Sequence, residues 1–552
     1  MRLLLDIETT LDHSKIWCVV TKDLDTNEVK VWKEAKDLSE YIKAASLIVA
    51  HNGIAFDFYL LNKLWKCQIK LKNIEDTLVL SRLVNPSREG GHSLDNLGKQ
   101  LGIQKTDFTD FDLKEQSLDD MIAYCVQDVE VLHKVYSYLK YELKQQEFSL
   151  TSQELEHEVQ AIIAIQERNG FKFDEPSAMR LLAELKAKLD AITVEMQGIF
   201  PPKITTGRTH AKTGKPLKDI VEEFNPGSRK QIAERLIEKG WKPEKFTEKG
   251  SVIVDETTLE GLDFPEAKAI AEYLMLQKRI AQIDSWIEAI QPDGRVHGKV
   301  ITNGAITGRM THHSPNMAQV PNCSAVYGPE CRNLWTVEKG CKLVGIDASG
   351  LELRMLAHYM NDNEYTNEII EGDIHTTNQK AAGLATRNQA KTFCYAFLYG
   401  AGAAKIGKIV GGSAKEGQQL INRFLQNTPK LQRLRERVAK AVAARGFLQG
   451  LDGRKLFIRS EHSALNTLLQ GAGAIVMKKA LVLLHKDLTK RKIPFKFVVN
   501  VHDEMQIEVP EQYAEQVGQA GVKAISDAGL AFEMNCPLTG EYKVGNTWME
   551  TH

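Results

Sequence analysis

The stretch "RNQAKTFCYAFLYGAG", residues 387 to 402, decides how the chain is read, because Arg387, Lys391, Tyr395 and Tyr399 recur in it every four residues. That spacing predicts a helix. Four residues turn about 400° and rise about 6 Å, so the stripe drifts by about 40° per step and spans about 18 Å. Two cations precede two aromatics along it, and Gly400 and Gly402 close the run. Such a face can take a triphosphate at its cationic end and a stacked base at its aromatic end. A surface helix with outward cations and core-packed aromatics has a similar pattern, but two cations leading two aromatics, then Gly400 and Gly402, tip the reading towards a nucleotide site.

Two further stretches supply carboxylates. "KLVGIDASGLELRMLAHYM" (342–360) reads as an apolar strand that delivers Asp347 at its end, a small-residue turn and an amphipathic helix. That turn can bring backbone carbonyls, Ala348 among them, close to a cation beside the carboxylate. "VNVHDEMQIEV" (499–509) alternates like a strand hairpin with His502, Asp503 and Glu504 at its tip. An Asp favouring the bend explains such a tip by itself. Under the family resemblance given below, the hairpin reads instead as the second arm of a two-arm metal clamp, with Asp503 implied as the ligand paired to Asp347 and Glu504 ranked below it.

The N-terminus carries a second set of acids. "RLLLDIE" predicts a buried strand ending in Asp6 and Glu8, and the period of two puts both carboxylates on one face. Two negative charges there are costly unless a divalent cation sits between them. "SLIVAHNGIAFDFYLLNKL" gives another strand, a polar turn and Asp57 at a helix start. "DDMIAYCVQDVEVLHKVYSYL" gives an amphipathic helix with Tyr124 and Asp128 one turn apart. Taken singly, Asp57 reads better as a helix cap, Asp128 as a solvated helix charge and Asp6 as a strand end, since short acidic motifs recur by chance.

Bulk properties limit these readings only weakly. The 552 residues suffice for several domains, and 71 basic against 72 acidic residues give no reason to expect a nucleic-acid partner. A neutral chain can still segregate basic grooves from acidic metal sites. The eight cysteines form no C-x-x-C pair or regular frame, as expected for core thiols of a reducing compartment. The opening apolar run is too short for a signal segment, and no eighteen consecutive apolar residues occur. A soluble protein of the cytoplasm, with no membrane partner, is expected.

Character changes near residue 150, where "EFSLTSQELEHEVQAIIAIQERNGFKFDE" predicts a long helix closed by Asn169-Gly170. "PPKITTGRTHAKTGKP" (201–216) is a polar loop with basic residues and no acid, read equally as a solvated surface and as an element gripping a nucleic-acid backbone. In "FNPGSRKQIAERL", Ser228 is a candidate helix cap.

The ordered motifs "DIE", "HNGIAFD" and "YCVQD", with "GGHSLDNLGKQLGI" between the last two, resemble the DnaQ-like 3′-5′ exonucleases of the tyrosine-bearing subtype over residues 1–150. That resemblance implies a ribonuclease-H-like α/β fold. In it Asp6, Glu8, Asp57 and Asp128 hold two divalent metals and Tyr124 orients the attacking water.

Residues 151–552 resemble family A DNA polymerases, through the R-x3-K-x3-Y-x3-YG stripe, "DASGLELR" and "VHDE", joined by "TGRMTHHSPNMAQVPN", "GDIHTTNQKAA" and "GLDGRKLFIRSEHSALNTLLQGAGA". Within the family the chain is most like the replicative polymerases of podovirus phages. The resemblance implies a multidomain α/β and α+β protein whose right-hand polymerase has its thumb at about 180–295, palm at about 300–360 and 456–552, and fingers at about 361–455. It implies that Asp347, Asp503 and the Ala348 carbonyl hold two Mg2+ ions, with Mn2+ a substitute. Arg387, Lys391 and His375 then contact the dNTP, with Lys391 the general acid for pyrophosphate. Tyr395 stacks near sugar and base, Tyr399 completes the nucleotide face, and Glu352 resembles the gate against a ribose 2′-hydroxyl. Arg309, Asn316, Gln319, Asn466, Gln470 and His502 fall in motifs that touch primer-template DNA.

Tyrosine at 395 implies ready acceptance of dideoxynucleotides. A replicative helicase-primase is an implied partner, and the host cytoplasm the implied location for a phage-encoded chain. Phage relatives can carry a long thumb insertion that recruits thioredoxin, whereas only residues 201 to 223 intervene here, which argues against thioredoxin dependence. A stand-alone exonuclease leaves the nucleotide stripe unused. A single-subunit RNA polymerase does not account for the N-terminal acids or Glu352.

Overall fold

Leu3, Leu4 and Leu5 are fully buried because the first strand, Arg2–Thr9, is covered on both faces, which is why its sequence runs apolar without alternation. It lies third in a five-stranded sheet, antiparallel to Ile16–Asp23 and parallel to Leu47–Ala50, with Val29–Trp32 and Ile74–Asp76 at the edges. Leu4 packs with Val20, Val49 and the helix Leu118–Gln145, while Leu3 and Leu5 pack on the other side with Leu38 and Phe58. A reciprocal Ser117/Asp120 capping box starts that long helix. The computed structural model describes residues 1–103, 117–210 and 212–552.

The helix Leu150–Asn169 starts at the Ser149 cap and stops at Gly170, whose φ of 61° suits the reversal. It serves two cores. Leu155, Val159, Ile162 and Ile163 belong to the largest hydrophobic cluster of the chain, whereas Ala161 packs against the N-terminal core and Arg168 stacks over Tyr59 at 4.0 Å. Glu156 is completely buried, bonded to Arg454 and Lys478 at 2.6 Å each, with Asp452 on Arg454 at 2.6 Å. Buried charges persist where each has such a partner.

Two long helices, Glu175–Ile199 and Pro265–Glu288, pack together and stand on an aromatic cluster in which Trp335 meets Phe171, Phe173, Trp286 and Trp548 at centroid distances of 4.8–6.5 Å. Between them, the segment expected as a loop at 201–216 contributes a strand. Lys203–Thr205 pairs antiparallel with Ile220–Glu222, because short β-branched runs favour extended backbone. Three-residue strands are too short for periodicity to reveal. Ser228 caps the helix Arg229–Glu238 as anticipated.

The C-terminal half centres on an antiparallel sheet in the order Lys496–Val501, Glu504–Pro510, Cys341–Ala348, Gly540–Gly545. The helices Ala464–Lys490 and Ala514–Ala531 pack together, and Ala514–Ala531 lies on the sheet. Gly521 is needed for that approach, since a Cβ there would come within 2.1 Å of Ile346. The stretch 461–490 is apolar and long enough to cross a membrane, yet 83% of its most apolar window is buried within the protein. A helical layer including Ile374–Ala382, Arg387–Leu398, Ala414–Asn427 and Pro429–Arg445 packs through Phe393, Phe397 and Phe424.

Candidate functional site

The hairpin forms as expected, with His502 and Asp503 at the turn between Lys496–Val501 and Glu504–Pro510. His502 sits at φ 55°, an uncommon conformation for a residue with a side chain, of the kind held where geometry matters more than comfort. Asp347 lies opposite Glu504 in the sheet register, and the Ala348 N–H donates to the Asp503 carbonyl at 3.1 Å. The two arms are thereby locked side by side. Partial burial, then the charges of Asp503 and Glu504, push the Asp347 carboxyl up to about 7. Burial likewise raises Asp503, against the opposing pull of its own backbone N–H, His502 and Arg309. Two carboxylates that resist ionising together fit a divalent cation between them.

Glu504 is a different kind of acid. Its Oε1 accepts the Trp548 indole N–H at 2.5 Å and the Gln506 amide at 2.5 Å, and its Oε2 faces His552 Nδ1 at 3.1 Å and Arg332 at 3.9 Å. Burial raises its pKa, but His552, Arg332 and Gln506 outweigh that and hold it below its usual range. Its oxygens are committed to the protein, which gives a physical reason for ranking it below Asp503.

Arg387–Leu398 is helical from the start of the stripe, begun by a Thr386/Gln389 capping box and followed by Gly400 at φ 76°. Arg387 and Lys391 are exposed, while Ala390, Phe393, Cys394 and Phe397 bury the opposite face. The stripe is therefore a presented surface, not a core seam. Tyr395 and Tyr399 stack at 6.5 Å with 25° between planes, and His375 lies 6.2 Å from Tyr395. Tyr399 donates its hydroxyl to both Glu352 oxygens at 2.7 and 2.8 Å, and Arg309 reaches Glu352 at 3.5 Å. Glu352 takes its direct hydrogen bond from Tyr399, one turn beyond Tyr395. A continuous lane thus runs from Arg387 past His375, Tyr395, Tyr399 and Glu352 to Arg309, whose charge acts on Asp503.

Asn466 and Gln470 are the half-buried positions at i and i+4 on a helix whose neighbouring residues are buried. Asn316 uses its side chain to cap the turn Met317–Gln319, and the Gln319 carbonyl accepts from Gln282 on the long helix Pro265–Glu288.

At the N-terminal site, Asp6 and Glu8 share a strand face, and ligand atoms of Asp6, Glu8 and Cys125 all lie within 4.8 Å of one another. Cys125 Sγ contacts Asp6 Oδ2 at 3.4 Å. Asp57 starts a short helix, is buried, and its carboxyl is held well above the usual range by burial and then by Asp6. Tyr124 and buried Asp128 lie on Leu118–Gln145, which packs over the strand bearing Asp6 and Glu8. The clustered acids again fit a divalent cation.

Two side chains in these sites carry no strong signal in the sequence. Asp373 bonds Arg387 Nε at 2.6 Å; its only local signal is its place two residues before His375 as a helix cap. Asp76 braces the loop before Asp57, accepting the Asn52 N–H at 2.9 Å and the Ile54 N–H at 3.1 Å.

Comparison with known proteins adds an independent line. The profile of DNA polymerase family A matches residues 204–550, and that of a 3′-5′ exonuclease matches residues 11–144. The chain is 36% identical to a DNA-directed DNA polymerase of Enterobacteria phage T3, covering 93% of this chain and 94% of that one. It is 35% identical to the DNA-directed DNA polymerase of Escherichia phage T7, covering 98% of each. Among solved structures, the polymerase domain of Pol1 from M. smegmatis, in complex with DNA primer-template and dNTP, superposes with a TM-score of 0.83 at 18% identity, covering 100% of this chain and 96% of that one. This last likeness concerns the fold.

Proposed function

The chain belongs to DNA polymerase family A, as a DNA-directed DNA polymerase with an N-terminal 3′-5′ exonuclease domain, and from that premise we propose that it extends primer 3′ ends with dNTPs and proofreads them, replicating phage DNA in the host cytoplasm. The observation that carries the reading is the lane from Arg387 to Arg309, which ends beside the Asp347–Asp503 pair. We divide the chain at about 150, with thumb, palm and fingers at the boundaries given above.

In the polymerase site Asp347, Asp503 and the Ala348 carbonyl would hold two magnesium ions, with manganese a substitute; Asp6, Glu8, Asp57 and Asp128 would hold two more in the exonuclease site. When bound, such ions acidify an attacking hydroxyl or water and neutralise the charge that develops on phosphate. Arg387, Lys391 and His375 bind the triphosphate, Arg387 as a charge clamp and Lys391 as the donor of a proton to departing pyrophosphate. Tyr395 stacks near the base, Tyr399 backs it, and Glu352, anchored by Tyr399, occupies the space a ribose 2′-hydroxyl requires. His502 meets the primer terminus, while Arg309, Asn316, Gln319, Asn466 and Gln470 line the primer-template path. Tyr124 orients the water in the exonuclease site.

The partners are primer-template DNA, dNTPs and a replicative helicase-primase. In place of a thioredoxin-recruiting insertion, either the short basic segment at 201–223 grips duplex backbone directly or another partner serves.

A pair of substitutions on a mismatched primer-template tests the reading. Asp347→Ala abolishes extension and spares 3′-5′ degradation, and Asp6→Ala does the reverse. Loss of both activities in either variant sinks the two-site assignment.

A further inference from the structure

Asp373 ends the connection before the helix Ile374–Ala382 and makes three bonds with one carboxylate. Oδ1 accepts the His375 backbone N–H at 3.1 Å; Oδ2 accepts the Thr376 hydroxyl at 2.8 Å and Arg387 Nε at 2.6 Å. Capping fixes the carboxylate at the start of the helix that carries His375. Arg387 is thus tied to the same point as His375, although the two sit on different helices.

The choice of atom matters. A guanidinium has five N–H donors, and Asp373 engages only the Nε edge. Nη1 and Nη2 make no hydrogen bond to the described residues, so the fork suited to a phosphate stays available while the plane of the group is set. Arg387 is half exposed, and an exposed ion pair of this kind adds little to stability. Ordering a long side chain before ligand arrives does remove a cost from binding.

We propose that Asp373 is a positioning residue for the incoming nucleotide: it pre-orders the Arg387 guanidinium so that its open fork meets the triphosphate beside His375. This rests on the reading of Arg387 as a triphosphate ligand. It makes a prediction that simple electrostatics reverses. A carboxylate beside a triphosphate repels it, so if charge alone mattered, neutralising Asp373 would tighten nucleotide binding. If positioning matters more, neutralising it weakens binding.

Single-nucleotide incorporation is measured on a matched primer-template with Asp373→Asn, Asp373→Ala, Arg387→Ala and the Asp373→Asn/Arg387→Ala pair. Asparagine keeps the cap, which separates positioning from helix loss. Expected are a rise in KM for dNTP of about three- to tenfold in Asp373→Asn, the scale of pre-ordering one long side chain, and a larger rise in Asp373→Ala. Turnover at saturating dNTP changes little, and 3′-5′ degradation of single-stranded DNA stays at the parent rate, which reports an intact fold. The double variant is no worse than Arg387→Ala, because Asp373 acts through Arg387. A KM that falls or stays level in Asp373→Asn, or effects that add fully in the double variant, overturns the inference while leaving the nucleotide site in place. An Arg387→Ala variant with unchanged KM overturns the reading beneath it.

Discussion

His157, on the helix that follows the exonuclease domain, accepts the backbone N–H of Asp76 on its Nε2 at 2.8 Å. Its Nδ1 donates to the Gln153 carbonyl at 2.7 Å, so the two bonds select one neutral tautomer. Asp76 in turn holds Asn52 and Ile54, and Thr77 meets His51 at 2.9 Å. The helix Leu150–Asn169 therefore braces the loop that leads to Asp57.

His157→Ala should accordingly lower 3′-5′ degradation about tenfold or more, the cost of a small misplacement of a reacting group, while extension of a matched primer stays near the parent rate. His157→Gln, which can still accept that N–H, should recover part of the loss. Equal loss of both activities would mean that the contact only stabilises the fold.

Lys478 offers a test of the buried charge cluster. Lys478→Met leaves Glu156 with one cation instead of two and should destabilise the protein by about 3 kcal/mol, read as a lowered unfolding midpoint in denaturant. Adding Glu156→Gln should recover part of it. An unchanged midpoint in Lys478→Met contradicts this account.

Acid stability has a nameable contributor in His312. Burial, then the charges of His502 and His313, lower its pKa from 6.5 to about 4. The folded value is depressed, so the folded state must be driven to bind a proton that the unfolded chain takes more readily. Stability from this group is therefore complete above about pH 6.5 and is lost as the pH falls through 4. His312→Asn should flatten the melting temperature across that window, and an identical pH slope in variant and parent would exclude the residue as the source.

Tyr395→Phe bears on nucleotide choice. The parent should incorporate dideoxynucleotides readily, and the variant should discriminate against them more strongly, read as longer products in a chain-termination assay. Strong discrimination by the parent itself contradicts the reading that tyrosine at 395 confers acceptance of dideoxynucleotides.

Much of the site was legible in the sequence because its signals are local. Asp6 and Glu8 share a face by the period of the strand, and the stripe from Arg387 to Tyr399 is set by the pitch of the helix. Asp503 falls at a turn between two alternating runs. Backbone geometry converts each of these spacings into a direction without help from the rest of the chain. The motif order then carried the family resemblance, which the phage relatives bear out.

Tertiary structure decided what those residues touch. Glu504 and Asp503 are adjacent acids, and only folding shows that Trp548, His552 and Arg332 occupy the first. Tyr399, not Tyr395, holds Glu352 across 47 residues, Asp373 reaches Arg387 across 14, and His157 reaches Asp76 across 81. No periodicity encodes such pairs. They exist because packing of separate helices and sheets brings their ends together, and in that crowded, partly dry space each carboxylate must find a cation, a donor or a proton.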